Sequence, residues 1–210
     1  MNKEKLNLLI EQKQDFKIGE TLKISWEMFK QYPGFSMGYA LFILSVQFLF
    51  VLYIPDFLLV FTLFLAGPLL AGFFLAANKI SQEETLEYPD FFKGFQYYIP
   101  LVLVWLVSQV LVAIGLFALV LPGIYLMVSY MFAMLAAIFF GLDFWSSLEF
   151  SRKLVHRNWL KFFMFGLSLA LLNLAGALVF LVGLAITLPL TYYAIYIVFE
   201  KISKGVVLKE

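Results

Sequence analysis

The chain has 210 residues, 63% of them hydrophobic and only 14% charged, against about 25% charged in an average soluble domain. Its 15 basic and 14 acidic side chains leave a net charge of +1, which excludes the one-sided basic footprint of a nucleic-acid binder. A sizeable soluble core is excluded as well, because a mean hydropathy of +0.91 suits a chain made mostly of membrane spans, each about 20 apolar residues long.

Residues 1–34 form a charged N-terminal segment with Lys3, Lys5, Lys13, Lys17, Lys23 and Lys30. Within it Ile18, Leu22, Trp26 and Phe29 recur at helical spacing, while Lys17, Glu20, Glu27 and Lys30 lie elsewhere on the wheel. That pattern predicts a helix lying in the membrane interface. The first long apolar run begins near residue 31, too late for the apolar core of a cleavable signal peptide. Residues 31–55, 57–78, 99–142 and 162–199 contain no Asp, Glu, Lys or Arg. The last two stretches are each long enough for two crossings, so six helices are predicted, near 35–54, 57–78, 99–119, 122–141, 160–181 and 184–200. The runs are apolar on every face rather than alternating, which argues against a barrel. Helices also satisfy their own backbone hydrogen bonds in lipid. The expected fold is all-α: residues 35–200 form a polytopic domain of three helical hairpins, each preceded by an amphipathic segment, and residues 201–210 form a tail.

With six spans, the N-terminus, the loops near 79–98 and 143–161 and the C-terminus share one side. All 15 basic residues lie there, including Lys79, Lys93, Arg152, Lys153, Arg157, Lys161, Lys201, Lys204 and Lys209. Asp56 is the one charge in the opposite turns. Basic residues in short flanking loops stay in the cytoplasm, so both termini are expected to be cytoplasmic in a multi-pass cytoplasmic (inner) membrane protein. Tyr32, Tyr39, Tyr53, Tyr98, Trp145, Trp159 and Phe199 stand near span ends, where they serve either an aromatic belt or ordinary packing.

Two further segments repeat the amphipathic theme before a hairpin. One is Tyr88-Pro89-Asp90-Phe91-Phe92-Lys93-Gly94-Phe95. The other covers residues 143–159, with Phe144, Leu148, Val155 and Trp159 on one face and Arg152, Lys153, His156 and Arg157 largely on another; Asp143 is placed to cap it. Each hairpin's first arm carries one amide, Gln47, Gln109 or Asn173, at 16–17 residues from Lys30, Lys93 or Arg157, about 24–26 Å along an ideal helix. Two readings fit: separate packing contacts, or a shared polar cluster lining a solute path. In the second arms Pro68 and Pro189 are expected to break the helix near mid-membrane, freeing the carbonyls of Phe64 and Ala185. Pro122 instead suits a helix start. Paired breaks of this kind can mark a transporter site.

The chemistry that is missing narrows the function. There is no cysteine, so disulfides, thiolate metal sites and cysteine nucleophiles are excluded. No ionisable residue falls inside a predicted span, which disfavours ion-driven transport. His156 is the only histidine and has no Asp or Cys close by in sequence. The cluster of Glu83, Glu84, Glu87 and Asp90 lacks the spacing of a calcium loop. No Walker loop, nucleotide-binding glycine motif, GxSxG elbow or HExxH motif occurs. No enzyme activity, metal or cofactor is expected. Arg152, Lys153, Arg157 and Lys161 are candidate contacts for anionic lipid headgroups, each worth about 1 kcal/mol near a charged surface, and equally serve as orientation determinants.

Four landmarks in order, Gly67-Pro68-Leu69-Leu70-Ala71-Gly72, Leu121-Pro122-Gly123-Ile124-Tyr125, Ser151-Arg152-Lys153-Leu154 and Leu188-Pro189-Leu190 before Tyr192 and Tyr193, give the chain a family likeness. It resembles the YciC-like bacterial membrane proteins, related to the membrane domain that accompanies some glycerophosphodiester phosphodiesterases. The resemblance covers roughly residues 17–200. It implies a six-span helical protein with a membrane-embedding or lipid-associated role. It brings no catalytic residues, because the phosphodiesterase barrel has no counterpart here. The functional expectation is a non-catalytic module that binds membrane lipids or a membrane or cytoplasmic protein partner. The alternative is a facilitator or permease for a small uncharged or amphipathic solute, using Gln47, Gln109, Asn173 and the proline breaks.

Overall fold

A computed structural model describes residues 3–11 and 15–207; Lys13 and Lys209, both counted above among the basic residues, lie outside the described residues. Among those described, the chain is all-α, with no strands. Two short helices, α1 (Lys3–Glu11) and α2 (Ile18–Gln31), precede α3 (Pro33–Tyr53). The return arm opens with a 3₁₀ turn, Pro55–Phe57, a single turn α4 (Leu58–Val60) and a π turn, Phe61–Leu65, before α5 (Ala66–Ser81). A 3₁₀ helix, Tyr88–Tyr97, leads directly into α6 (Tyr98–Ala118). Then come α7 (Val120–Ser129), α8 (Ala133–Phe140), α9 (Phe144–His156), α10 (Trp159–Leu178) and α11 (Phe180–Val207). Six segments are long and apolar enough to cross a membrane: Pro33–Tyr53, Pro55–Ser81, Tyr88–Ala118, Val120–Phe140, Trp159–Leu178 and Val182–Lys204.

The arms of the three hairpins differ in burial. Within their most apolar windows the second, fourth and sixth spans are 44%, 56% and 56% buried, against 22%, 28% and 22% for the first, third and fifth. The return arms therefore make the core and the first arms form its outer wall. Helix α11 is the hub, packing on α2, α3, α5 and α10. Side-chain bonds pin this core: Ser36 Oγ and Tyr193 Oη lie 2.8 Å apart, and Tyr39 Oη donates to the Leu69 carbonyl at 2.7 Å. Close approach depends on missing side chains. A Cβ on Gly72 would lie 2.0 Å from the Phe91 carbonyl oxygen, and one on Gly94 would lie 2.2 Å from that of Pro68.

The prolines act differently from one another. Pro68 sits in the first turn of α5, just after the π turn. The interruption expected to free the Phe64 carbonyl takes the form of that π turn, where the ladder is displaced; the Thr62 carbonyl accepts from Trp105 Nε1 at 2.7 Å. Pro122 occupies the first turn of α7, where amide hydrogens have no helical acceptor. The break expected at Pro189 is not a helix end: α11 runs through it and continues as helix to Val207, past the residue 200 limit expected for the last span. The fourth span has a break that no proline explains. Residues 130–132 form a turn between α7 and α8, and Ser151 Oγ fills it, donating to the Ser129 carbonyl at 2.6 Å and accepting from the Phe132 amide at 3.1 Å.

The three amphipathic segments are all packed against neighbours. In α2 the buried residues are Thr21, Ser25, Met28 and Phe29, while Trp26 is exposed. Of the expected apolar face, Phe29 is buried, Ile18 and Leu22 are half-buried against the core and Trp26 faces outward. The small Thr21 and Ser25 side chains face inward where α2 packs on α11, leaving the Trp26 side outside. The 3₁₀ helix Tyr88–Tyr97 packs along α5 rather than lying apart, and it carries a capping box between Glu87 and Asp90. Helix α9 doubles back along α8 and α7, so that Ser151 reaches the break and His156 Nδ1 lies 2.9 Å from Tyr125 Oη.

Candidate functional site

The three amides at matched depth are not gathered. Gln47 is exposed. Gln109 lines a groove of about 370 Å³ together with Trp105, Ser108, Tyr130, Met131 and Tyr192. Asn173 is held within the last hairpin, its Nδ2 donating to Thr191 Oγ1 at 2.6 Å and to the Leu169 carbonyl at 2.9 Å. Equal distance along three helices does not bring side chains together, because each helix is rotated differently about its axis.

The four basic candidates are all engaged within the protein. Arg152 makes a two-pronged contact with Glu149, Nε and Nη2 each 2.9 Å from a carboxylate oxygen, and Lys153 Nζ lies 3.3 Å from the same group. Arg157 Nη1 donates to the Ile10 carbonyl at 3.1 Å. Lys161 pairs with Asp15 at 3.1 Å and stands 4.8 Å over the Phe16 ring. Phe16 in turn packs on Phe162 and Phe165. These cations therefore fasten the N-terminal segment and brace α9. Arg152 holds the Glu149 carboxyl below its ordinary range, against an opposing effect of burial. Asp143 accepts from the Trp145 and Ser146 amides at 3.0 and 3.1 Å, capping α9, and hydrogen bonding from Ser146 lowers its pKa.

Where α2 meets the ends of α5 and α11, sequence reasoning missed a polar site. Glu200 has a side chain only 20% exposed. Its Oε1 accepts from Ser81 Oγ and from Tyr196 Oη at 3.2 Å, and Lys204 Nζ forms an ion pair with it at 3.0 Å. Tyr196 is also 2.9 Å from Asn78 Oδ1, tying α11 to α5. Beside this network opens a cleft of about 700 Å³. Its walls are apolar, from Ile24, Met28, Ile80 and Ile197, and its charged lining is Glu83, Glu200, Lys201 and Lys204, with Gln31 and Ser81. Nearby, Lys79 and Lys93 both pair with Asp90, at 2.9 and 2.7 Å, and Lys30 pairs with Glu27. Two signals in the sequence pointed here. Glu200 is the acid that closes the last charge-free run, and Tyr196 precedes it by one helical turn, the spacing at which side chains meet.

Six long apolar helices whose ion pairs lie at or beyond their ends define a polytopic membrane protein. No protein-family model, curated protein or solved structure matches the chain.

Proposed function

We propose that this chain is a non-catalytic membrane module, seated in a cytoplasmic membrane with both termini inside, that associates with phospholipid headgroups at its cytoplasmic end. The observation that carries this reading is the cleft between α2, α5 and α11, where charged groups meet apolar walls at the ends of two candidate spans. The confinement of basic residues to one side of the six-span topology supports the orientation. The resemblance to YciC-like membrane proteins, read from sequence landmarks alone, would imply the same lipid-associated role. The basic side chains of α9 and α10 contribute indirectly, by holding the N-terminal segment in place. Gln47, Gln109 and Asn173 do not share one path, which disfavours a facilitator.

The test is analysis of lipids co-purifying with the full chain in mild detergent. Retention of phospholipid through exhaustive washing, near one molecule per chain, is the expected result. A preparation that loses all phospholipid while remaining folded, or that retains a stoichiometric protein partner instead, refutes the lipid reading.

A further inference from the structure

The cleft beside Glu200 has a composition that selects among headgroups. A simple anionic headgroup needs only cations, yet this cleft pairs two lysines, Lys201 and Lys204, with two carboxylates, Glu83 and Glu200. Both hydrogen bonds to Glu200 and the Lys204 ion pair fall on Oε1, leaving Oε2 without a hydrogen bond among the described residues. A carboxylate oxygen of that kind, in a largely buried side chain, is an acceptor for a cation, and a primary ammonium offers three donors. Lys201 is exposed, with its ammonium available for a phosphate. Ile24, Met28, Ile80 and Ile197 supply an apolar wall, and Ile80 and Ile197 belong to the ends of the second and sixth candidate spans. The cleft thus stands at the boundary where a lipid's headgroup leaves its chains, and its volume is in the range of small-molecule sites.

We propose that this cleft binds a zwitterionic aminophospholipid, with the phosphodiester at Lys201 and Lys204, the primary ammonium at Glu200 Oε2 and the glycerol end against the isoleucine wall. This rests on the lipid-associated reading above and names its ligand class. The occupant is a membrane lipid rather than free phosphoethanolamine, because the headgroup alone leaves the isoleucine and methionine walls uncovered.

The test uses the full-length protein, delipidated in detergent and titrated separately with phosphatidylethanolamine, phosphatidylglycerol, phosphatidylcholine and soluble phosphoethanolamine, with binding read by native mass spectrometry. Phosphatidylethanolamine is expected to bind about tenfold tighter than phosphatidylglycerol, the ratio given by roughly 1.4 kcal/mol for one charge-assisted contact. Phosphatidylcholine, whose ammonium has no hydrogen to donate, should fall below phosphatidylethanolamine. Glu200→Gln keeps an acceptor for Ser81 and Tyr196, so it should fold and bring the ethanolamine-to-glycerol ratio to about one. The pair Lys201→Gln and Lys204→Gln should weaken both lipids. Equal binding of the two lipids by the wild type, or an unchanged ratio in folded Glu200→Gln, overturns the assignment while leaving lipid association standing. Soluble phosphoethanolamine binding as well as the lipid overturns the commitment to a membrane source. Binding of no phospholipid at all defeats both this proposal and the reading beneath it.

Discussion

Gly72→Ala is the sharpest structural perturbation the packing offers. The new methyl would stand 2.0 Å from the Phe91 carbonyl oxygen, about 1.4 Å short of the 3.4 Å at which ordinary contact begins, and 2.7 Å from Tyr39 Oη. Neither neighbour is free to retreat. Phe91 belongs to a 3₁₀ helix that is pressed at Gly94 onto the Pro68 carbonyl, and Tyr39 is fully buried with its hydroxyl bonded to Leu69. Overpacking costs about 1–3 kcal/mol, and loss of the Tyr39 hydrogen bond adds about 1 kcal/mol. The better helix propensity of alanine returns about 1 kcal/mol. The net expectation is destabilisation by about 1–3 kcal/mol, read from the midpoint of a reversible SDS titration followed by circular dichroism. Gly34→Ala is the control, because a methyl there meets nothing within 4 Å, and it should match wild type or gain up to about 1 kcal/mol from helix propensity. If Gly72→Ala matches Gly34→Ala, the close crossing of α5 and the Tyr88–Tyr97 helix is refuted.

Other perturbations probe the remaining joints. Ser151→Ala strands the Ser129 carbonyl and the Phe132 amide in a buried break, and it should cost about 1–3 kcal/mol in the same titration; an unaltered midpoint means that α9 does not close the fourth span. Trp105→Phe removes the donor to the Thr62 carbonyl at the π turn, with an expected loss of about 1 kcal/mol. The Glu149 pair with Arg152 has a definite pH signature. Since the folded protein holds Glu149 below its ordinary value of 4.5, its contribution is fully present above that value and is lost as pH falls through the lowered one. The stability gap between wild type and Glu149→Gln should therefore be widest near neutrality and close under acid, and a gap that grows on acidification contradicts the pairing.

Six apolar spans were legible because water and hydrocarbon are distinguished by composition alone. Which arm of each hairpin faces protein was not, since a leucine against lipid and a leucine against another helix read alike. The inner position of α5 shows instead in a small residue at its crossing, Gly72 beneath Phe91. The same ambiguity hid part of the inner face of α2, where the polar but compact Thr21 and Ser25 turn inward beside Phe29 while Trp26 turns outward. Asp143 read correctly as a cap because its bonds are local. Ser151 was silent because its partner Ser129 is 22 residues away, and Glu200, marked by closing the last charge-free run, gave no sign of Ser81, 119 residues away. The basic residues of α9 and α10 carried a topology signal in their number and a structural role only in their contacts.

Lipid binding from the cytoplasmic leaflet requires the charged, cleft-bearing end to face the cytoplasm. The chain has no native cysteine, so single cysteines report cleanly. In intact cells an impermeant maleimide should label Asp56→Cys and Val179→Cys, both at exposed turns opposite the basic end, and should reach Glu84→Cys and Lys201→Cys only after the membrane is opened. Labelling of Glu84→Cys or Lys201→Cys in sealed cells would put the cleft on the outer face and contradict the proposed cytoplasmic lipid site.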